Sequence, residues 1–552
     1  MSTFNKFLKI IFIADRWHVA AHLFIILFLL IGFFIYKDYG VFWDDPSMRD
    51  IGLVNLKSVY QYLGIEKFLF FFSEKIPVVP ESIRTLKDSL PDNTAKLYGV
   101  IFDLPVGFFE YIFFGINGDT QKIYQFRSLI RFLIFILFLY SFYYQSKKLF
   151  SSTLAGFITI VLISFSPKIF ANIFYNHKDI LFMIFVSLGM STATKLILFP
   201  RFQTVLMHSL ITSLAIASRP MGIFFLPLTA FALFFLFYLK KGSYLKSIVI
   251  YFLYIFFLII FVIIFSPYLW ESPIKNFYQI LNYMSQFPYR ADSTVLYMGN
   301  ITHISKLPWH YIPVWILIST PPLVIFLFAI GILFFLLNLL KKKIKNTDVK
   351  EFILFCHISV VFVSIFLVII KNSALHNDWR QMYYIYPSLI LIATYGFMFI
   401  FENVKKFPYK NFLLFFIIFS FALNQLNWMI KAHPLQNIYF NFFIGSNWKQ
   451  KFDLDYGGVG NYLMIKNILL IDKRNNISIC PISDTPITYT IKIIDKNDRN
   501  RIAIQCSQRP DYLLQNYYKI KNYDLNNVND YIIFDQKKIF SETIITVFKK
   551  SN

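Results

Sequence analysis

The sequence predicts a polytopic α-helical membrane protein with a small α/β domain at its C-terminal end. Of the 552 residues, 57% are hydrophobic and 15% are charged, whereas a soluble domain carries roughly a quarter charged residues. The hydrophobic residues are gathered in runs of about 15–27, a length that matches the hydrocarbon core of a bilayer. After residue 430 these runs give way to short segments typical of strands. These three observations predict the fold class.

Eleven apolar runs predict about 11 transmembrane helices. The runs lie at about 20–36, 125–145, 151–166, 179–198, 203–217, 221–239, 247–266, 312–340, 351–370, 383–401 and 411–429. Basic residues precede the first run, but no small-residue cleavage site follows it. We therefore expect the first run to be retained as a span and not removed as a signal peptide.

The positions of the basic residues predict the orientation in the membrane. With a cytoplasmic N-terminus, the basic clusters between the spans all lie on the cytoplasmic side, in agreement with the positive-inside rule. These clusters are Lys147/Lys148, Arg201, Lys240/Lys241/Lys246, Lys341–Lys345 and Lys405/Lys406/Lys410. The C-terminus is then extracytoplasmic. Because this asymmetry explains the net charge of +23, we expect no nucleic-acid partner.

The predicted domains are a transmembrane domain at 1–430, which includes an extracytoplasmic loop at 37–123, and an extracytoplasmic domain at 431–552. In the second domain NISIC, TYTIKII, RIAIQC, YIIFD and TIITVFK predict strands, and RPDYLLQNYYKI predicts a helix. Cys480 and Cys506 lie in two of these strands. A disulfide and two reduced, buried thiols are both compatible with their positions.

Two adjacent carboxylates follow the first span in the stretch FWDDPSMRDIG. Asp44 and Asp45 repel each other, so their adjacency costs energy unless a partner or a reaction requires it. Arg49 stands one helical turn further on. A catalytic or substrate-binding role is one interpretation, and a helix cap before Pro46 is the other.

Three further polar motifs lie on the same predicted side of the membrane. They carry His177, Lys178 and Asp179 before the fourth span, Arg219 between the fifth and sixth, and His376, Asp378 and Arg380 before the tenth. Charged groups at membrane depth are costly and usually mark function, and cations there can bind a phosphate. The structural alternatives are Lys178 reaching lipid headgroups, Asp179 capping a helix, and Arg219 pairing with a carboxylate of another loop.

Seven runs of the chain, in order between residues 40 and 460, resemble the glycosyltransferase C superfamily. They are FWDDPSMRDIG, SPKIFANIFYNHKDILFM, ASRPMGIF, PYLWESPIKNF, LPWHYIPVWILISTPP, DWRQMYYIYP and YFNFFIGSNWKQKFDLDYGG. The similarity is to the bacterial relatives of protein O-mannosyltransferases and aminoarabinose transferases. It implies a polytopic enzyme of the bacterial inner membrane that takes a sugar from a polyprenyl-phosphate carrier and transfers it on the extracytoplasmic face.

The resemblance also implies roles for individual residues. Asp44 matches the carboxylate proposed as general base, and Asp45 stands where the family usually has Glu, so it either orients the acceptor or holds Arg49. Asp179 matches a second acidic position of the superfamily, and Arg380 matches an arginine suited to the leaving phosphate.

The resemblance leaves the hexose or pentose donor and the glycan, lipid or protein acceptor unidentified. It implies no cofactor, although Asp44, Asp45 and Asp179 could hold a divalent ion. A transporter or flippase of lipid-linked sugars, with the same charged residues lining a pathway, is the alternative function. A catalytically inactive member of the superfamily is a third interpretation.

Overall fold

The computed structural model describes residues 15–64, 97–115, 118–239, 243–285, 293–341, 348–375, 377–403, 409–483, 485, 487–506, 509–519 and 530–551. The basic residues at 240–241, 342–345 and 405–406, together with His376, lie outside these ranges.

Helices make up most of the first 432 residues, and each of the 11 apolar runs overlaps a helix or a pair of helices. The helices are α1 (Arg16–Ile35), α2 (Asp45–Leu63), α3 (Asp103–Phe114), α4 (Thr120–Phe150), α5 (Thr153–Ser164), α6 (Pro167–Tyr175), α7 (His177–Leu198), α8 (Phe202–Ser218), α9 (Phe225–Leu239), α10 (Tyr244–Phe265), α11 (Pro273–Ser285), α12 (Tyr311–Ser319), α13 (Pro322–Lys341), α14 (Val349–Ile370), α15 (Tyr386–Asn403), α16 (Lys410–Ala432), α17 (Asn461–Ile471), α18 (Ile487–Ile491) and α19 (Lys496–Arg499).

Seven helices of the described ranges are long and apolar enough to cross a membrane, or eight if the bent pair α5–α6 forms one span. The chain is therefore a helical multi-pass membrane protein. The predicted count of 11 is not confirmed, because several apolar runs form helices that are short or broken. Proline is one cause: α5 and α6 meet at 71° where Pro167 follows Ser166, since proline cannot donate a backbone hydrogen bond to continue a helix. The orientation stays a prediction.

Glycines bring two of the long helices into close contact. A Cβ atom on Gly331 of α13 would lie 2.2 Å from the carbonyl oxygen of Ile392, and one on Gly396 of α15 would lie 2.1 Å from that of Leu327. Small residues at such positions let helix backbones approach closely in a membrane, where van der Waals packing drives association. These two glycines therefore allow the backbones of α13 and α15 to pack closely.

A five-stranded mixed sheet forms the core of the C-terminal region, and a two-stranded hairpin precedes α12. The strands are β1 (Thr294–Tyr297), β2 (Asn300–His303), β3 (Ile477–Pro481), β4 (Ile502–Ile504), β5 (Tyr512–Asn516), β6 (Tyr531–Ile539) and β7 (Glu542–Lys550). The large sheet has the order β4-β3-β5-β7-β6, with parallel pairing around β3. Four of the predicted strands are confirmed, and a disulfide joins Cys480 to Cys506.

Two predictions in this region are wrong. TYTIKII contains helix α18 and not a strand, and RPDYLLQNYYKI contains strand β5 and not a helix. All five residues of β5 are buried, because this strand lies between β3 and β7. A short apolar run that is buried on both faces lacks the alternation that would separate a strand from a helix.

Candidate active site

Asp44 and Arg380 form an ion pair between two segments of the helical region that are far apart in the chain. Asp44 lies between α1 and α2, and Arg380 begins the 3₁₀ helix that leads into α15. The Arg380 Nη1 donates to Asp44 Oδ2 at 2.8 Å and lies 3.5 Å from Asp179 Oδ2. Arg380 is buried, whereas the Asp44 side chain is 41% exposed. One arginine thus links two carboxylates that are far apart in sequence, and one of them is accessible.

Besides Arg380, two further side chains hold Asp179. The Arg219 guanidinium donates to its Oδ1, and the side-chain amide of Asn176 donates to its Oδ2 at 2.8 Å. Asn176 is also the residue that caps α7, because its Oδ1 accepts a hydrogen bond from the Asp179 amide at 3.2 Å. Arg219 therefore pairs with a carboxylate of another segment, which was its structural alternative, and the cap that was one interpretation of Asp179 is provided by Asn176.

Lys178 completes a group of five charged side chains, which we call the Asp44 cluster. The Lys178 Nζ lies 4.3 Å from the centre of the Tyr98 ring, and Lys178 interacts electrostatically with the other four charges. The members are Asp44, Lys178, Asp179, Arg219 and Arg380. Three cations face two carboxylates, so this cluster carries one surplus positive charge.

A second group of charges is buried except for Arg49, whose side chain is 21% exposed, and we call it the Asp45 cluster. Its members are Asp45, Arg49, Asp103, Glu110, Arg127, Arg131 and His177. At its centre the guanidinium of Arg127 pairs with Asp103, with Glu110 at 2.6 Å and with Asp45 at 3.7 Å. Arg131 donates to Asp45. Three carboxylates are therefore matched by three arginines.

His177 and Arg49 belong to this second cluster and not to the first. The His177 Nε2 lies 2.8 Å from Asp103 Oδ2, and the Arg49 Nε donates to Glu110 Oε2 at 2.8 Å. Burial acts to raise the pKa of Asp103, but the neighbouring His177 and Arg127 outweigh it and lower that pKa. Arg49 is thus held by Glu110 and not by Asp45, which was one of the roles expected for Asp45.

The sequence therefore predicted a set of charged residues that the structure divides between the Asp44 cluster and the Asp45 cluster. Asp44 and Asp45 are neighbours in the chain, yet their side chains enter different clusters, and the same division separates His177 from Lys178. Sequence reasoning missed Asp103, Glu110, Arg127 and Arg131. A usable signal was present for the arginines, since Arg127 and Arg131 stand four residues apart inside a predicted span, where charges are costly.

Asp378 lies in a third polar group. Its Oδ2 accepts hydrogen bonds from the Lys168 ammonium at 3.0 Å, the Tyr456 hydroxyl at 3.2 Å and the Tyr383 hydroxyl at 3.4 Å. Lys168, which sequence reasoning also missed, is buried at the start of α6. His376 is outside the described residues, so its predicted role has no structural account.

The three carboxylates proposed as ligands of a divalent ion do not come together. Asp45 turns to Arg131, and Arg380 Nη1 lies between Asp44 and Asp179. Across the described ranges there is no group of three or more His, Cys, Asp or Glu side chains placed to hold a metal ion.

An aromatic groove of about 620 Å³ runs between α16, the start of α13 and the turn that joins β6 to β7. Its aromatic lining consists of Phe421, Trp428, Tyr439, Phe440, Phe442, Trp448 and Phe540, and its polar lining consists of Ser420, Asn424, Gln425 and Asn441. No charged side chain of the described residues lines it. Such a lining favours an uncharged, largely apolar occupant.

Comparisons with known proteins identify no family. No family model matches the sequence, and no curated protein matches it. Among solved structures, the oligosaccharyltransferase of Archaeoglobus fulgidus, crystallised as a complex with Zn and sulfate, is similar to 76% of this chain at 11% sequence identity and a TM-score of 0.38. The chain spans 59% of the length of that protein. A TM-score this low supports no conclusion about the activity of the chain.

Proposed function

We propose that the chain is a membrane glycosyltransferase that moves a sugar from a polyprenyl-phosphate donor to an acceptor hydroxyl, with Asp44 as general base. The observation that carries the proposal is the Asp44 cluster itself. Four separate segments bring an accessible carboxylate beside three cations, and their surplus positive charge suits a phosphate. The motifs that supply these residues are also those that resemble the glycosyltransferase C superfamily.

In the proposed reaction the acceptor oxygen attacks the anomeric carbon of the donor sugar. The bond from that carbon to the phosphate oxygen breaks, and the phosphate leaves with the bonding electrons. The acceptor proton passes to the Asp44 carboxylate, which is the exposed acidic group of the cluster. Arg380, Arg219 and Lys178 stabilise the charge that develops on the leaving phosphate.

Donor binding would also prepare the base. Arg380 is paired with Asp44 at 2.8 Å in the structure. A carrier phosphate competes for the same guanidinium, and its planar donor groups suit two phosphate oxygens. As Arg380 turns to the phosphate, Asp44 loses a hydrogen bond and its lone pairs face the acceptor. Binding of the donor and readiness of the base are therefore coupled.

The aromatic groove supports a lipid-carried donor, because a polyprenyl chain needs an uncharged surface. The groove reaches Phe440, whose ring centre lies 5.4 Å from the Lys168 Nζ. Lys168 is in turn paired with Asp378, two residues before Arg380. An apolar chain and a phosphate could thus bind at neighbouring parts of the protein.

Substitution of the base tests the proposal. The purified protein is incubated with a panel of polyprenyl-phosphate sugars, and release of polyprenyl phosphate is measured. Asp44→Asn keeps the size of the side chain but removes the basic oxygen, so transfer should fall by about 10²–10⁴-fold. Donor affinity should be equal to that of the wild type or higher, because the carboxylate that competes for Arg380 has lost its charge. Asp38→Asn is the matched control, since Asp38 has a similar exposure of 42% and its own ion pair with His433.

Near-normal transfer by Asp44→Asn would refute the general base. A transporter of lipid-linked sugars would instead move intact donor between leaflets, and polyprenyl phosphate would not accumulate. The same assay therefore separates the enzyme from its main alternative.

A further inference from the structure

The turn that leads to Arg380 contains two successive residues with positive φ. Asn377 and Asp378 have φ values of 62° and 65°, in the left-handed region that residues with side chains rarely adopt. Asn and Asp tolerate this region better than other residues with side chains, and contacts around Asp378 can select this turn among the conformations open to them. Arg380 follows directly at the start of its 3₁₀ helix. The direction of its side chain thus depends on this turn.

Four side chains hold Asp378 in place. Lys168, Tyr456 and Tyr383 donate to its Oδ2, at 3.0, 3.2 and 3.4 Å. The Tyr311 hydroxyl donates to its backbone oxygen at 3.2 Å. Asp378 is fully buried, and the strongest of these contacts is the charge-assisted one from Lys168.

Lys168 is a buried cation that the proposed reaction does not use. Its ammonium lies 5.0 Å from the centre of the Trp315 ring and 5.4 Å from that of Phe440. These rings and the Asp378 carboxylate compensate in part for the loss of hydration. An ion pair of this kind is a poor source of stability compared with apolar packing, so its presence calls for another explanation.

Tyr456 connects the buried pair to the Asp44 cluster. Its hydroxyl donates to Asp378, and its ring centre lies 6.0 Å from the guanidinium carbon of Arg380. The ring of Phe42, two residues before Asp44 in the chain, lies 5.1 Å from the same guanidinium. The side chain of Arg380 is therefore set by the turn at its base and by two aromatic rings beside it.

We propose that Lys168 is a positioning residue: through Asp378 and Tyr456 it holds the left-handed turn at residues 377–378, and thereby directs Arg380 to Asp44 and Asp179. Neither Lys168 nor Tyr456 is expected to touch the substrate. The inference rests on the proposed function only for the identity of the anion, a carrier phosphate, that Arg380 binds.

A double-mutant cycle on anion binding tests this role. Decaprenyl phosphate in detergent micelles serves as the probe, and its dissociation constant is measured for the wild type, Tyr456→Phe, Arg380→Lys and the double variant. Tyr456→Phe keeps the ring beside Arg380 and removes only the hydroxyl. It should weaken binding about threefold to tenfold, the effect of one hydrogen bond, and should have no further effect in the Arg380→Lys background.

Tyr386→Phe is the matched control, because the buried Tyr386 hydroxyl pairs with Ser166 at 2.5 Å and not with Asp378. A loss of affinity in this variant equal to that of Tyr456→Phe would overturn the proposal, as would additive effects of Tyr456→Phe and Arg380→Lys. Lys168→Met combined with Asp378→Asn removes both charges without leaving either unpaired, and it should weaken binding at least as much as Tyr456→Phe.

A wild-type protein that does not bind decaprenyl phosphate would refute the proposed function but would still leave the positioning role testable. In that case thermal unfolding is measured for Tyr456→Phe, Asp44→Asn and the double variant. These two side chains contact different parts of Arg380, so non-additive shifts in Tm would support transmission through Arg380. Additive shifts would overturn it.

Discussion

Asp44 and Asp45 are adjacent in the chain and yet meet opposite environments. The Asp45 side chain is 2% exposed and lies among arginines that match the carboxylates of its cluster in number, whereas Asp44 is 41% exposed and belongs to a cluster with one more cation than carboxylate. Their side chains point to different clusters because Asp44 lies in the turn before α2, whereas Asp45 is the first residue of that helix. The difference teaches that enclosure and charge balance, more than residue type, decide which carboxylates are paired inside the fold and which stay accessible to a ligand.

Asp453 shows how the pKa of a buried carboxylate shifts when no cation pairs with it directly. Asp453 is as buried as Asp103, and its hydrogen-bond partner is the amide of Leu296 at 3.0 Å. Burial raises the pKa of Asp453 to about 7, although the hydrogen bond from the Leu296 amide and the charge of Lys519 both act to lower it. The pKa of Asp103 is lowered because His177 and Arg127 outweigh its burial. Equal burial thus gives opposite shifts, depending on the neighbouring cations.

The largest effect on stability is expected when the ion pairs of the Asp45 cluster are broken. Arg127→Met leaves Asp103 and Glu110 buried without their central cation, which should lower the free energy of unfolding by about 3–5 kcal/mol. Denaturant unfolding in detergent measures this change. Arg474→Met, which removes an arginine that pairs with Asp472 and Asp511 at the surface, is the control and should cost less than about 1 kcal/mol. Equal losses of unfolding free energy in the two variants would mean that the Asp45 cluster has no special structural role.

The next effect concerns Asp453 and its dependence on pH. Between about pH 4 and 7 the folded protein holds a proton on Asp453 that the unfolded chain has released, so this carboxyl reduces stability as pH rises through that window. The reduction reaches at most about 4 kcal/mol, since one pKa unit corresponds to about 1.4 kcal/mol. Asp453→Asn cannot titrate and keeps an acceptor for the Leu296 amide, so its Tm should rise relative to wild type from pH 4 to pH 8. A difference in Tm that is independent of pH would show that Asp453 is not protonated in the folded state.

A smaller effect is expected for the cations of the Asp44 cluster. Arg380→Ala and Lys178→Ala should each weaken binding of polyprenyl phosphate by about tenfold to a hundredfold, because charge-assisted bonds contribute about 1.5–3 kcal/mol. Arg474→Ala, far along the chain and exposed, serves as the control for loss of a positive charge. Unchanged affinity in both variants would leave Arg219 as the better candidate for the phosphate, and would remove the functional contrast between the two clusters.

The helical part of the fold was largely predictable because it depends on local composition. Every predicted apolar run overlaps a helix, and the sheet at the C-terminal end was expected from its alternating segments. The number of spans was harder to predict, because breaks such as the one at Pro167 leave short helices, α5 with 12 residues and α6 with 9, that bend by 71°. The two errors in the sheet region, at α18 and β5, have the same origin. Short apolar segments adopt the structure that their neighbours allow.

The candidate site was predictable in part. The sequence pointed to all five members of the Asp44 cluster, because charged residues beside apolar runs are costly and therefore informative. It also pointed to Asp45, Arg49 and His177, which the structure places in the Asp45 cluster. Lys168 was not recognised, since a single lysine near a predicted loop looks like an ordinary surface residue.

The sequence by itself determined that this chain is a helical membrane protein with a C-terminal sheet domain, and that acidic and basic motifs flank its spans. Hydrophobic length and charge suffice for those conclusions, because they follow from transfer of each segment between water and lipid. Only the tertiary structure decided which charges meet. Asp45, Asp378 and Asp44 pair with Arg131, Lys168 and Arg380, which lie 86, 210 and 336 residues away in the chain. Ionic contacts over such separations depend on how the helices pack, which no local pattern encodes.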